Sequence, residues 1–577
     1  MDKQEIAIFV QENKPRLEFL YGDKAKKSAK RLEMLVERYG LGLVPDGDNG
    51  RWSEKDAIVI SYGDTIKKQG EYPLHTLQNF MDEYVGDSVS GLHILPFFPY
   101  SSDDGFSVIN YRQVREDLGG WYHIKQLGRH YRIMADLVIN HVSRKSSWFK
   151  DYQQDVAPAS EYFIEMDPDE NLSKVTRPRS SPLLTEIKKG EETRHVWTTF
   201  SADQIDVDFS NPDVLFEYLD IILFYISQGV SVIRLDAIAY LWKKKGTNCI
   251  HLPETHEVVR LIRSLLNTVA PHVTLITETN VPHKENVSYF GNGDEAHMVY
   301  QFSLPPLLLY TLLFGDASYL TNWAQNLESP PEGCTYFNFT ASHDGVGVRP
   351  IEGLVPQDKF DALVQAVRDR GGMVSMKANA DGSESPYELN VSYFDAMKDA
   401  PDADESHQVQ RFLSSQAIML SLQGVPGIYI HSLTATPNDL EGVKEKGHNR
   451  AINRKSWELM ELTERMESED SDTRRVFTAY KNMLDIRKKN PAFHPEGAQE
   501  VFDAGTGLFA VQRTAPDGSQ KVLSITNVTA EKTLVDLTES ALPLASDSTH
   551  QNLLTKDGEP EEGNLTFAPY ETKWLVV

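Results

Sequence analysis

The residues best placed to do chemistry are three carboxylates, each closing an apolar run. Ser231-Val-Ile-Arg-Leu-Asp236 carries Arg234 and Asp236 at its end, Val273-Thr-Leu-Ile-Thr-Glu278 ends in an acid, and Tyr336 to Asp344 ends in the pair His343-Asp344. Ionised groups at the end of a buried segment need a partner or a task, because desolvation without either is costly. One such acid is ordinarily half of a salt bridge or a helix cap. A fourth run of the same kind, Tyr131 to His141, makes a shared catalytic cleft the stronger reading. Two carboxylates about 5 to 5.5 Å apart across a glycosidic bond act as nucleophile and acid/base, through a covalent glycosyl-enzyme and with net retention. A third acid can then hold sugar hydroxyls as the ring flattens, with histidines donating to the same hydroxyls.

Such acids must be brought together by a scaffold whose strands all end on one face. Eight short apolar strands alternate with helix-like segments: Ala57 to Tyr62, Gly91 to Pro96, Ile133 to Ile139, Val230 to Leu235, Val273 to Ile276, Met298 to Phe302, Tyr336 to Phe339 and Gly427 to Ile430. This alternation predicts parallel strands with crossover helices and an α/β fold of the (β/α)8 TIM-barrel type, with its chemistry at the C-terminal ends of the strands. Barrel segments are expected over 56–142, 206–344 and 408–497. Two intervals, 143–205 and 345–407, exceed simple connections. They are read as an inserted subdomain and an inserted loop subdomain that shape specificity at the catalytic face. Residues 1–55 form a helical extension, with Leu17, Leu20, Leu32, Leu35 and Val36 on one face before Gly40 and a turn at Pro45. Residues 498–577 alternate short strands and turns and form a small β domain.

A chain of 577 residues can bury a large core, and 40% hydrophobic with 25% charged residues is an ordinary soluble composition. No run approaches the roughly 18 apolar residues that span a bilayer. The first residues lack a basic stretch followed by an apolar core, so a cytoplasmic protein without a membrane partner is expected. With 58 basic against 84 acidic side chains the formal charge is −26, which disfavours nucleic acid as a partner. Two cysteines, Cys249 and Cys334, supply neither a disulfide framework nor a zinc site.

In order and spacing, Asp136 to His141, Gly229 to Asp236, Glu278 and His343-Asp344 resemble the α-amylase superfamily, glycoside hydrolase family 13, across about residues 57 to 490. The resemblance implies Asp236 as nucleophile, Glu278 as acid/base and Asp344 as transition-state stabiliser. Arg234 would orient the nucleophile, and His141 and His343 would bind glucose hydroxyls. Within the superfamily the chain is most similar to the sucrose phosphorylases and related glucoside phosphorylases, on Leu95 to Phe106, His195 to Asp206, Gln301 to Leu309, Gly345-Val-Gly-Val and Asn449 to Arg454. By position, Asp103 and Arg454 would clamp the distal hydroxyls, with Phe106 and Phe200 as an aromatic platform. Asn140 matches a metal position of many amylases, yet the resembling phosphorylases generally do without the ion. No metal and no organic cofactor is expected, inorganic phosphate being a co-substrate. A homodimer is expected from the family alone.

Phosphorolysis needs a cation beside the glucosyl-enzyme. Thr176-Arg-Pro-Arg179 lies where the family places a basic acceptor loop, which makes Arg179 the phosphate candidate, while Arg177 has the alternative of a salt bridge within the loop. Tyr387, in the second insertion, is its expected partner. The acceptor subsite departs from the sucrose enzymes: Thr279-Asn280 replaces Val-His, and Tyr387-Glu388 replaces Tyr-Gln. A carboxylate at Glu388 would repel glycerate or a sugar phosphate and could accept hydrogen bonds from a polyol. On this argument the expected substrate is glucosylglycerol, giving α-glucose 1-phosphate and glycerol. Glucosylglycerate, sucrose, sucrose 6′-phosphate, and a hydrolase or transglucosidase reaction are the alternatives, and another arginine in the pocket would reverse the argument.

Overall fold

The computed structural model describes residues 3–39, 51–379, 383–400, 406–538, 540–545, 549–555 and 560–577. The turn expected at Gly40 and Pro45 lies outside them, as does part of the Lys377–Ser385 stretch. Eight strands close into one barrel in sequence order: β1 (Ile58–Ser61), β2 (Gly91–Ile94), β3 (Arg132–Val138), β4 (Val230–Asp236), β5 (Thr274–Thr277), β6 (Met298–Tyr300), β7 (Thr335–Phe339) and β8 (Val425–Tyr429). Every pairing is parallel, including β8 with β1 at the closure. These are the eight strands expected from the apolar runs. Parallel strands are covered on both faces, which is why they read as almost unbroken apolar sequence. Gly427 on β8 is required by packing: a Cβ there would lie 2.4 Å from the Phe337 ring of β7.

Register sets the site. Asp136 of β3 lies beside Arg234 of β4, and Val138 beside Asp236, so the charged groups of the two strands reach the same end of the barrel. On the outside, helices α1 (Lys3–Tyr21) and α2 (Ala25–Tyr39) form the N-terminal extension. Leu17, Leu20, Leu32, Leu35 and Val36 are buried, and Asn13 Nδ2 donates to Ser264 Oγ at 2.9 Å on the barrel helix Pro253–Val269. The first insertion contains the hairpin Leu184–Lys189 with Glu192–Trp197, and returns to the barrel through Gln204–Asp206, which pairs with His141–Ser143. The second builds a sheet in which Glu384–Asn390 pairs with Met373–Ala378 on one side and Val346–Gly347 on the other. At the C-terminus, β9 (Ala498–Phe502), β10 (Leu508–Thr514), β11 (Lys521–Asn527) and β12 (Thr572–Val576) form an antiparallel sheet around Leu508, Leu523, Ile525 and Leu575.

Candidate active site

Arg234 is fully buried and divides its guanidinium between two strand-end acids, donating to Asp136 Oδ1 at 2.5 Å and Asp236 Oδ1 at 2.7 Å. Its Nε donates to Tyr300 Oη at 3.1 Å. Asp136 is held from the other side by His93 Nε2 at 2.7 Å. The chain then turns sharply: Ala237 takes a left-handed conformation, φ 50°, which costs a non-glycine residue energy and is found where function overdetermines the backbone. The turn aims the Ala237 N–H at Glu278 Oε2, 3.0 Å away. One turn of backbone thus fixes Asp236 and Glu278 relative to each other.

Electrostatics separates these acids. Although burial works against ionisation, His93 and Arg234 hold Asp136 down at about 2. Burial pushes Asp236 upward against the pull of Arg234. Glu278 is pushed up to about 7, by burial first and then by the charges of Asp236 and Asp344, with Arg234 opposing. Asp344 stays below the usual carboxylate range despite its burial, because Arg450, Arg454 and Arg234 surround it. One carboxyl that keeps its proton near neutral pH beside others that do not is the division that acid/base glycosyl transfer requires. Burial also drives His343 far below its ordinary value, so its imidazole is neutral.

Eleven of the fourteen expected site residues line one cavity of about 70 Å³: Asp236, Glu278 and Asp344, together with Asp103, Phe106, His141, Phe200, His343, Asn280, Arg179 and Tyr387. The Phe106 ring stacks on His343 at 4.7 Å, and Phe200 lies 5.2 Å from His141. His141 Nε2 is 2.8 Å from the Phe106 carbonyl. Arg179 lies over the Tyr387 ring at 5.4 Å, joining the two insertions at the mouth, whereas Arg177 donates to the Ser181 carbonyl within its own loop. The Gly345-Val-Gly-Val motif acquires a physical reason here. A Cβ on Gly345 would lie 2.6 Å from Glu388 Cγ, and one on Gly347 2.5 Å from Asn280 Nδ2, so both glycines let the second insertion close on the pocket.

Of the other three expected residues, Arg234 and Arg454 stand behind that wall and Glu388 lines the wider mouth above it. Arg234 lies against Asp236. Arg454 reaches Asp104 Oδ2 at 2.6 Å, the His343 carbonyl at 2.7 Å and Asp344 Oδ1 at 3.8 Å, so it pairs with Asp104 and Asp344 and not with Asp103, which accepts from Gln204 Nε2 at 3.1 Å. The reading of Glu388 as an open carboxylate needs correction. Glu388 is 1% exposed, grips Arg450 through both oxygens at 2.8 and 3.0 Å, and accepts from Asn390 at 2.9 Å. Its charge and lone pairs are engaged within the protein, which removes the repulsion on which the glucosylglycerol argument turned.

Four residues of the site were not singled out from sequence. Arg450 also contacts Asp344 Oδ1 at 2.5 Å, and lies in the Asn449–Arg454 motif beside the expected Arg454. His93 was visible only as a histidine inside an apolar strand. Gln204 meets Asp103 and the Phe106 carbonyl. Lys243 is 4% exposed at its side chain, with Nζ 2.6 Å from Asn140 Oδ1 and 2.6 Å from Asp206 Oδ2. Its ammonium thus provides the cation between the two positions. Among the described residues no group of three or more His, Cys, Asp or Glu is arranged to hold a metal ion.

A closed eight-stranded parallel barrel with three acids and two histidines at its C-terminal face defines a retaining α-glucoside-processing enzyme of double-displacement type. Residues 83–329 match the model of the α-amylase catalytic domain. The chain is 44% identical over 574 residues to a glucosylglycerate phosphorylase of Spirochaeta thermophila, covering 97% of each protein. It is 29% identical to a glucosylglycerol phosphorylase of Marinobacter adhaerens, over 76% of this chain and 88% of that one. The crystal structure of sucrose 6F-phosphate phosphorylase from Thermoanaerobacter thermosaccharolyticum superposes with a TM-score of 0.72 at 25% identity, covering 89% of this chain and 98% of that one. The chain belongs to the α-amylase superfamily, glycoside hydrolase family 13, in the branch that holds the sucrose and glucosylglycerate phosphorylases.

Proposed function

We propose that the protein is a glucosylglycerate phosphorylase, which converts α-glucosylglycerate and phosphate reversibly into α-glucose 1-phosphate and glycerate. The observation that carries the acceptor is the Glu388–Arg450 pair: the one carboxylate that would have repelled glycerate is buried against an arginine. Arg179, half-buried on the pocket wall, adds a cation suited to a carboxylate or a phosphate. The 44% likeness to a glucosylglycerate phosphorylase, against 29% to a glucosylglycerol phosphorylase, supports the same choice.

In this reading Asp236 attacks the anomeric carbon from below while Glu278 gives its proton to the departing glycerate oxygen. Phosphate then attacks the glucosyl-enzyme and passes a proton back to Glu278, so two inversions leave the α configuration unchanged. Asp344, His141 and His343 hold ring hydroxyls; Asp103 faces the distal end, with Arg454 behind it. Phe106 and Phe200 flank the sugar, and Asn280 faces the acceptor. Arg179 with Tyr387 receives phosphate.

The test supplies α-glucose 1-phosphate with glycerate, glycerol, fructose or fructose 6-phosphate and records both phosphate and glucoside. Glycerate should give the fastest release with stoichiometric glucosylglycerate. A preference for glycerol would sink the acceptor reading while keeping the mechanism, and phosphate release without glucoside would mean hydrolysis.

A further inference from the structure

A second cavity, of about 190 Å³, lies on the catalytic face beside the site, between the segment that follows β1, the loop after β2 and the segment 446–456 that follows β8. Five cationic side chains line it, Lys67, Arg115, Lys446, Arg454 and Lys455, against two carboxylates, Asp64 and Asp104. Both acids are already engaged. Asp64 is 2.6 Å from Arg115, and Asp104 is 2.6 Å from Arg454. Lys455 lies 3.8 Å over the Trp457 ring and 3.3 Å from the half-exposed Glu461, while Lys67 and Lys446 have no ion-pair partner among the described residues. In a chain of net charge −26 this is a local inversion of sign, and a surplus of cations around a small recess concentrates anions. Hydroxyls of Thr65, Ser456 and Tyr100 stand on the same walls. A sugar with no charge would gain little from such a lining.

We propose that this recess is a second anion site, which takes a small phosphate dianion, either free phosphate or the phosphate of a sugar phosphate, on Lys67, Lys446 and Lys455. It is distinct from the subsite assigned to Arg179, which lines the inner cavity and not this one. It also adjoins the active site. Tyr100, Asp104 and Lys446 are shared with the wide mouth of about 790 Å³ above the catalytic cavity, and Arg454, on its wall, holds the His343 carbonyl. Although burial works to raise it, Asp104 is kept below its ordinary range by Arg454, Lys446 and His448, in keeping with the cationic character of the recess. An anion held there borders the mouth of the catalytic cavity.

Equilibrium dialysis of radiolabelled inorganic phosphate against the full chain carrying Asp236→Asn, which blocks turnover, tests this. One bound equivalent should survive Arg179→Ala and be lost, with at least a tenfold weaker Kd, in Lys67→Gln/Lys446→Gln. A parallel series with α-glucose 1-phosphate separates the sources: the probe that fills the lysine-dependent equivalent is the ligand, and either one supports the site. No lysine-dependent equivalent with either probe, in a protein whose thermal midpoint is unchanged, overturns it. Both substituted lysines are at least partly solvent-facing, and Lys67→Glu provides a second variant with the same expectation should the double one misfold.

Discussion

Glu388 and Arg450 form a two-point ion pair at 2.8 and 3.0 Å that locks the second insertion to the turn after β8. The same guanidinium reaches Asp344 at 2.5 Å, so one arginine serves both the carboxylate of the second insertion and an acid of the inner cavity. Inserted loop and barrel are therefore joined through a residue of the inner cavity and not merely around it.

Glu388→Gln removes one negative charge and leaves Arg450 in place. With Arg450 still held by Asp344, one negative charge fewer should favour an anionic acceptor, lowering the KM for glycerate about fivefold, the scale of one charge contact worth ~1 kcal/mol in a wet pocket. The KM for glycerol should stay unchanged. Acceptor kinetics with α-glucose 1-phosphate decide it, and a raised KM for glycerol would restore Glu388 as a polyol ligand. Arg450→Ala should behave differently, stranding a buried carboxylate and destabilising the fold by about 3 kcal/mol, as chemical denaturation will read.

Much of this was legible in the sequence, for a physical reason. Parallel strands buried on both faces leave unbroken apolar runs, and an acid ending such a run stands out because desolvation makes it expensive. Hence Asp236, Glu278 and Asp344 could be found from sequence, and eleven expected residues converge on one cavity. What failed was any statement about the net charge of a side chain's surroundings. Glu388 reads as an acid in a polar loop, and nothing local shows that Arg450, 62 residues away, neutralises it. Lys243 is hidden for the same reason: in Trp242-Lys-Lys-Lys it is one of three like lysines, and only the fold selects it for burial.

Glu278 sets the pH profile. Burial lifts its carboxyl from 4.5 to about 7, so the protonated acid is available below that pH and lost above it. The kcat/KM for a natural glucoside should fall above pH about 7 with unit slope, while α-glucosyl fluoride, whose leaving group needs no proton, should show no such limb. Glu278→Gln should lose about 10² to 10⁴-fold with the glucoside and far less with the fluoride in the glucosylation step. An identical loss with both would place the proton elsewhere. The stability sign follows from the same shift: the folded state keeps a proton that the unfolded chain releases, so this group's contribution declines as pH rises from 4.5 through about 7.

Lys243 should be a structural cation. Its ammonium bridges Asn140, on the loop that carries His141, and Asp206, where the first insertion rejoins the barrel. Lys243→Ala leaves Asp206 fully buried with only neutral donors, from Thr199 at 2.8 Å and Asn140 at 3.0 Å. A loss of about 3 kcal/mol is expected in urea unfolding, the scale of a buried charge left without its partner. The KM for the glucoside should rise as His141 loosens. A variant that unfolds like the parent would show that the amide and hydroxyl donors suffice.

Two acids on one arginine separate chemistry from folding. Asp236→Asn should abolish turnover by about 10⁴-fold or more, the scale seen when a nucleophile is removed. The fold should survive, because Arg234 retains Asp136 at 2.5 Å. Asp136→Asn should do the reverse. Asp136 is fully buried, and His93 and Arg234, against the opposing effect of burial, hold it at about 2 instead of 3.8. A lowered folded pKa contributes stability that is present above 3.8 and lost as pH falls through about 2, here about 2 kcal/mol. Its amide variant should therefore melt several degrees lower at pH 7, with the difference shrinking as pH falls from 3.8 through about 2. Calorimetry of the two variants side by side checks the division, and it fails if Asp236→Asn proves the less stable of the pair.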